Sequence, residues 1–324
     1  MAEVIRIHET GGPEVLVFED VEVDTPGPGE ALLRQTAIGL NFIDVYYRTG
    51  LYPTPPLPTT LGVEAAGVVE AVGENVTDVR PGDRVTYAGV LGAYATTRII
   101  AADRLVKLPG DISDIQAAAM TLQGLTAQYL IRRTHRVAAG ETILVHAAAG
   151  GVGLILCQWA KHLGATVIGT VGSEEKAELA RTHGCDHPIV YTREDFVARV
   201  NEITGGEGVP VVYDSVGKDT FAQSLDCLGP LGLMVSFGQS SGDVPPLDVR
   251  TLTIKGSLYL TRPSLATYAA KRSDLLAGAA ELFEVVGSGA VKVPARQTYP
   301  LRETAAAHRD LEARKTTGST VLMP

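Results

Sequence analysis

The stretch Ile143-Leu144-Val145-His146-Ala147-Ala148-Ala149-Gly150-Gly151-Val152-Gly153, continuing through Leu154 to His162, decides the fold. Ile143–His146 is short, apolar and bounded by a turn, which reads as a buried strand. The segment from Ala147 to Gly153 is a tight turn, and the apolar run to His162 is long enough for a helix. Strand, glycine turn and helix in this order form a variant of the dinucleotide fingerprint, with alanine in the place of its first glycine. Gly150 lets a backbone approach a pyrophosphate, and Gly153 permits close packing of helix on strand. The helix N-terminus adds unpaired N–H groups and a positive partial charge.

The pattern repeats outward from this turn. Apolar runs at Thr142–Ala147, Ala165–Val171, Pro188–Tyr191, Val209–Asp214, Leu231–Phe237 and Thr253–Leu260 predict six strands. Helical stretches at Gly151–His162, Ser173–His183, Arg193–Ile203 and Asp219–Cys227 fill most of the gaps. Gly164, Gly184, Gly205 and Gly229 stand where helix-ending glycines belong. Alternating strands and helices, with strands apolar throughout, specify a parallel sheet covered on both faces. The expected domain is α/β and doubly wound, over residues 124–263.

Residues 1–123 read as mainly β, with runs at Val15–Phe18, Ala31–Ile38, Ala65–Val72, Arg84–Ala88 and Ala93–Ile100. Turn residues separate them, and Pro53–Pro58 reads as loop. Ser113-Asp114 can cap a helix through Ala117–Arg133. The segment 264–324 returns to helix, strand and helix, and is expected to complete the first domain.

The 324 residues are 45% hydrophobic and 20% charged, which suits a folded chain of about two domains and excludes disorder. A net charge of −9 argues against nucleic acid or an anionic membrane as the main partner. Cys157, Cys185 and Cys227 are too few and too scattered for a disulfide framework or a cysteine zinc site. That count fits a reducing compartment, and the N-terminus lacks a signal layout. The most apolar stretch, Ile143–Ala160, is interrupted by His146, Gln158 and three glycines, so no membrane span is expected and a cytoplasmic protein is.

The second strand bears on cofactor choice. A site for NAD carries Asp or Glu at this strand's end, for the ribose 2′-hydroxyl. Here Gly169-Thr170-Val171-Gly172-Ser173 holds no acid, and Lys176 follows, placed for a 2′-phosphate. Glu174 and Glu175 oppose this reading, although acids also suit the first turn of a helix. Gly238-Gln239-Ser240-Ser241-Gly242 matches the hydrolase elbow Gly-x-Ser-x-Gly, but Pro245-Pro246 follows where that elbow needs a helix. It reads instead as a polar loop at the carboxyl edge of the sheet. His146 reads as a satisfied core histidine and Cys157 as helix core.

Asn41-Phe42-Ile43-Asp44, Leu61-Gly62-Val63-Glu64-Ala65-Ala66-Gly67, Pro81-Gly82-Asp83-Arg84-Val85 and the Ala149–Gly153 loop together resemble the medium-chain dehydrogenase/reductases. Tyr213-Asp214-Ser215-Val216-Gly217 and the Phe237–Gly242 loop resemble its NADPH:quinone oxidoreductase, or zeta-crystallin-like, branch. The resemblance covers essentially the whole chain. It implies a doubly wound parallel Rossmann sheet plus a mainly β, GroES-like catalytic domain. Zinc alcohol dehydrogenases of the superfamily have Cys where Asn41 stands and His where Val63 stands. Asn and Val are poor zinc ligands, so the resemblance implies chemistry without a catalytic metal.

By the same resemblance, Asn41, Tyr46 and Tyr52 line the nicotinamide end of a cleft, where they would also meet the acceptor. Gly151 and Val152 meet the pyrophosphate. Gly172, Ser173, Lys176 and Tyr191 surround the 2′-phosphate and adenine, and Val216, Gly238, Ser240, Ser241 and Arg314 also touch the cofactor. No general acid or base is assigned. The expected activity is NADPH-dependent reduction of a quinone by a homodimer paired through the sixth strand. The alternatives are reduction of an enone or alkenal double bond, or a nucleotide- or RNA-binding protein without turnover.

Overall fold

A computed structural model describes residues 1–324. The chain divides into two compact units. One comprises Met1–Leu125, Lys271–Phe283 and Val293–Pro324, the other Thr126–Ala270 and Glu284–Lys292.

The second unit holds six strands: β1 (Thr142–Val145), β2 (Thr166–Val171), β3 (His187–Val190), β4 (Val209–Asp214), β5 (Leu228–Ser236) and β6 (Tyr259–Thr261). Their spatial order is β3-β2-β1-β4-β5-β6 and every pairing is parallel. The order reverses direction beside β1, the switch point at which open α/β sheets bind ligands. Leu144, Ile168, Ile189, Val212 and Met234 supply the apolar layer under one face.

Two sequence expectations change here. The run Thr253–Leu260 is not one strand. Arg250–Ile254 is helical, Gly256 and Ser257 turn the chain at φ 109° and 58°, and only Tyr259–Thr261 pairs with β5. An apolar run carries no record of the turn that divides it. Gly229 likewise ends no helix. The helix before it is one turn, Phe221–Ser224, and Gly229 already belongs to β5, where an added Cβ would lie 2.6 Å from the Glu207 carbonyl. Gly164, Gly184 and Gly205 do take the left-handed conformation, at φ 87°, 87° and 63°.

The first unit is built on the long strand Glu30–Leu40. It pairs antiparallel with Glu64–Val72, with Thr97–Ala101 and with Ser319–Met323. Irregularities at Leu32/Leu33 and Gln35/Ala37 bend it, so its two halves serve different neighbours. Ile5, Leu33, Ile38, Val85, Tyr87 and Leu322 fill the core.

Sequence periodicity overextends two strands here and misses other elements. The strand expected over Ala93–Ile100 begins only at Thr97, and the Ala93 and Ala95 carbonyls instead serve the buried Gln35 amide. Pro13–Val15 is a 3₁₀ turn, so the strand expected from Val15 begins at Val17. Ala2–Ile7 forms a strand, and α1 (Phe42–Arg48) is a short helix within a stretch rich in aromatics. Ser113 caps α2 (Asp114–Tyr129) by accepting from the Gln116 N–H at 3.2 Å, and a π-turn continues it over Leu130–Thr134.

Candidate functional site

In the second unit, the fingerprint turn leads into α3 (Gly151–His162). Its tightness shows at two residues. Ala147 takes φ 52°, in the left-handed region, and a Cβ on Gly153 would stand 2.3 Å from the Ala147 carbonyl oxygen. Gly150 caps α3 with no side-chain hydrogen bond, so no side chain claims the first-turn amides, Gly151 and Val152 among them. That is the arrangement an anion needs.

At the end of β2, Gly172 packs so closely on Tyr191 that a Cβ would meet the phenol oxygen at 3.1 Å. Thr192 Oγ1 donates to the Gly172 carbonyl at 3.3 Å. Ser173 caps α4 (Glu174–Thr182) by accepting from the Lys176 N–H at 3.3 Å. Gly172, Ser173 and Tyr191 are thus gathered at one corner, with Lys176 one turn along. The opposing charge of Glu174 is met by Arg193, 3.0 Å away. Both groups are exposed, so the pair contributes little to stability, but it offsets a negative charge beside this corner.

Across the sheet, two loops are tied together. Ser240 and Ser241 N–H groups donate to the Ser215 and Val216 carbonyls at 3.1 and 2.9 Å, and Ser241 Oγ donates to the Val216 carbonyl at 2.7 Å. Gly238 lies against Ser215, where a Cβ would be 2.7 Å from its carbonyl. Val216, Gly238, Ser240 and Ser241 therefore form one cluster. The Gly-x-Ser-x-Gly stretch is a loop in which Ser241 Oγ is committed to backbone, unlike a nucleophile elbow.

Asp214, at the end of β4, holds this cluster from below. Its carboxylate accepts from the Val216 and Gly217 N–H groups at 2.7 and 3.0 Å and from the Thr220 hydroxyl at 2.8 Å. His146 is buried, its ring nitrogens 2.8 Å from Thr170 Oγ1 and 2.9 Å from Ser224 Oγ. Burial lowers its pKa, against the opposing charge of Asp214. It is a satisfied core histidine. Cys157 and Cys185 are buried as well, and contact with Cys185 together with burial pushes the Cys157 thiol well up, so Cys157 is no ready nucleophile.

In the first unit, Asn41 precedes α1 and its N–H donates to Asp44 Oδ2 at 2.9 Å. The helix carries Tyr46, whose ring lies 5.2 Å from Tyr52. Tyr52 also meets Tyr47 edge-on at 5.8 Å, and the Tyr52 N–H donates to the Tyr46 carbonyl. Asn41, Tyr46 and Tyr52 are thus held together by one short helix and the turn after it. Val63 is buried, and no group of three or more His, Cys, Asp or Glu side chains is arranged to hold a metal ion. Arg314 follows the helix Thr304–Glu312 in a left-handed conformation, φ 58°.

Beneath Asn41 lies a buried ionisable network that the sequence reading did not single out. Glu64 accepts from Asn41 Nδ2 at 2.7 Å and from the Leu122 N–H at 2.6 Å. Gly39 makes room for it, since a Cβ there would stand 2.3 Å from Glu64 Oε2. Asp44 also accepts from the Tyr94 hydroxyl at 2.8 Å. Tyr94 meets His308, His308 meets Arg48 at 2.9 Å, and Arg48 pairs bidentately with Glu312. Burial lifts the Glu64 carboxyl to about 8 and that of Asp44 to about 7, and Asp44 Oδ1 has no partner. Burial and the Arg48 charge push His308 down to about 3. A signal did exist: Glu64 is a lone acid in an apolar run, and Asp44 and Arg48 stand on a helix that is otherwise apolar and aromatic. Tyr94 and His308 gave none, being far away in sequence.

A six-stranded dinucleotide sheet with an uncapped glycine-led helix, accompanied by a GroES-like β unit, defines a medium-chain dehydrogenase/reductase. Residues 151–274 match the zinc-binding dehydrogenase family and residues 27–110 the alcohol dehydrogenase GroES-like domain. The chain is 55% identical to a quinone oxidoreductase of Pseudomonas aeruginosa over 100% of both chains. It is 50% identical to a 2-haloacrylate reductase of a Burkholderia species over 98% of both. The solved structure of Escherichia coli quinone oxidoreductase complexed with NADPH superposes with a TM-score of 0.98 at 51% identity, covering 99% of this chain and 100% of that one. The chain belongs to the quinone oxidoreductase family of the medium-chain dehydrogenase/reductases.

The raised Asp44 carboxyl has a consequence for stability. An unfolded Asp ionises near 3.8, whereas the folded one holds its proton to about 7. Its contribution is complete below the unfolded value and is lost as pH rises through the folded one. Asp44→Asn removes that loss. Relative to the native protein, the variant gains stability from about pH 5 to pH 7, with a slope approaching about 1.4 kcal/mol per pH unit. Urea unfolding of both proteins at several pH values measures the difference. A difference independent of pH refutes the assignment.

Proposed function

We propose that this chain reduces quinones with NADPH and without a catalytic metal. The observation that carries the proposal is the corner at the end of β2. Gly172, Ser173 and Tyr191 converge there, with Lys176 one turn along α4 and no acid at the strand tip. That corner suits a 2′-phosphate better than a free 2′-hydroxyl. The relatives named quinone oxidoreductase and the NADPH-bound structure of one of them support the same reading.

When bound, NADPH supplies the hydride. Gly151 and Val152 N–H groups hold its pyrophosphate. Gly172, Ser173, Lys176 and Tyr191 hold the adenosine 2′-phosphate and adenine, and Val216, Gly238, Ser240, Ser241 and Arg314 complete its contacts. Asn41, Tyr46 and Tyr52 meet the nicotinamide end and orient the acceptor oxygen, and a tyrosine hydroxyl or a water delivers the proton. Asn41 and Val63 offer no metal ligand set, so the chemistry rests on positioning and on an acceptor that is already electron-poor.

A second reading is reduction of an activated carbon–carbon double bond, favoured by the relative named 2-haloacrylate reductase. A binding role for RNA is opposed by the net charge of −9. No helix is long and apolar enough to cross a membrane, and three buried free cysteines suit the cytoplasm, where we place the protein. We also propose a homodimer. The edge strand β6 exposes Tyr259 by 61% and Leu260 by 40%, an apolar edge that a second copy would cover.

Three measurements test these points. NADPH binds more tightly than NADH by roughly one to two orders of magnitude, the worth of one charge-assisted contact, and Lys176→Glu erases most of the preference. Equal dissociation constants in the native protein refute this. With NADPH, ortho- and para-quinones turn over faster than saturated ketones. A faster ketone reveals a missing electrophilic catalyst, and a faster enal promotes the double-bond reductase. Sedimentation at micromolar concentration gives twice the 34.2 kDa chain mass, whereas a lone chain refutes the dimer.

A further inference from the structure

The Asn41 amide is held at both ends. Its Nδ2 donates to Glu64 Oε2 at 2.7 Å, and its Oδ1 accepts from Gln123 Nε2 at 3.1 Å. Gln123 is fixed in turn, its Oε1 accepting from Ser319 Oγ at 2.6 Å. The second Glu64 oxygen accepts from the Leu122 N–H at 2.6 Å. All four side chains are buried. A primary amide has two donor hydrogens and an acceptor oxygen with two lone pairs. Asn41 commits one donor hydrogen to Glu64 and one lone pair to Gln123, and its side chain also faces the Asp44 N–H at the start of α1, which leaves its second donor hydrogen for a ligand.

The sense of the chain depends on one proton. With Glu64 ionised, both of its oxygens are acceptors, so Asn41 turns Nδ2 toward it and Oδ1 toward Gln123. That is the sense in the structure. With Glu64 protonated, its O–H donates and Asn41 must meet it with Oδ1. Nδ2 then faces Gln123, which turns its own Oε1 inward and its Nε2 toward Ser319. The Ser319 hydroxyl accepts as readily as it donates, so this end tolerates either sense. Mixed senses place donor against donor or acceptor against acceptor in a buried site, which is costly.

We propose that Glu64 is a positioning residue, whose ionisation sets which end of the Asn41 amide is offered to the reaction, with Gln123 and Ser319 completing the relay. The proposal rests on the reading that Asn41 meets the nicotinamide end. The other groups facing Glu64 are few. Asp44 on α1 opposes a second negative charge, and α2 presents only the backbone amides of Thr121 and Leu122. On the neighbouring strand the Tyr87 hydroxyl is engaged by Gln35 and Arg98. Burial lifts the Glu64 carboxyl to about 8, so both senses are reached near neutral pH.

The test is the pH dependence of kcat and KM, with NADPH and a para-quinone, from about pH 6 to about pH 9.5. In the native protein kcat changes with one midpoint near 8, by about tenfold, the worth of one hydrogen bond. Glu64→Gln can give the Leu122 N–H only its Oε1, so its Nε2 faces Asn41 and holds the reversed sense at every pH. Its kcat stays at the native acid-side value throughout. Ser319→Ala removes a partner that serves both senses alike, so it keeps the midpoint. A native profile that is flat, or a midpoint near 8 that survives in Glu64→Gln, overturns the proposal. Asn41→Ala with native kcat and KM overturns instead the placing of Asn41 in the site. Should Glu64→Gln not fold, the native protein still decides. Its ¹⁵N-labelled Asn41 side-chain amide, identified by its absence in Asn41→Ala, shifts with the kinetic midpoint, and a constant resonance refutes the relay.

Discussion

The approach of α3 to the strand that precedes it is the constraint on which the nucleotide half of the molecule depends. At Gly153 one additional carbon would stand 2.3 Å from the Ala147 carbonyl and 2.8 Å from the Ala148 Cα. No side chain fits that gap. Because the helix can come so near, its first amides sit at the carboxyl end of β1, beside the switch in strand order. Every other nucleotide contact proposed for this unit lies at the same edge of the sheet. Gly172 and Ser173 follow β2, Tyr191 follows β3, Val216 follows β4, and Gly238–Ser241 follow β5.

That edge is assembled from loops, and polar groups set behind them hold the loops in shape. Asp214 takes up the N–H groups of Val216 and Gly217, and Ser241 ties its loop to the Val216 carbonyl. A buried carboxylate is expensive unless its oxygens are engaged, and here engagement and loop placement are one arrangement. The first unit solves a similar problem differently. Asp44 and Glu64 are buried so completely that desolvation outweighs their hydrogen bonds, and their protons are held far above the usual range. Asn41 is attached to both, through its N–H and its side-chain amide, which makes its orientation a property of the protein's interior.

Much of this was legible in local patterns. The strand–turn–helix unit, the alternation that follows and three of the four helix-ending glycines are short-range features, governed by φ, by periodicity and by the lack of a Cβ. Lys176 and the missing acid after β2 are also local. The sixth strand was misjudged, since an apolar run says nothing about the turn at Gly256 and Ser257 that splits it. Helix α1 was missed, being seven residues within a stretch whose aromatic content suggests no period.

The sequence by itself determined the class of fold, the glycine turn and the missing acid after β2, because each depends on residues close together in the chain, while the lack of zinc ligands at Asn41 and Val63 came from the resemblance to a family. Tertiary structure alone decided which buried polar groups meet. Asn41, Glu64, Gln123 and Ser319 form one hydrogen-bonded chain, and Asp44, Tyr94, His308 and Arg48 another. Their members come from distant strands and helices, and a hydrogen bond is specified by position in space to within a few tenths of an ångström. Desolvation, which shifts their protons, exists only once the core has closed around them.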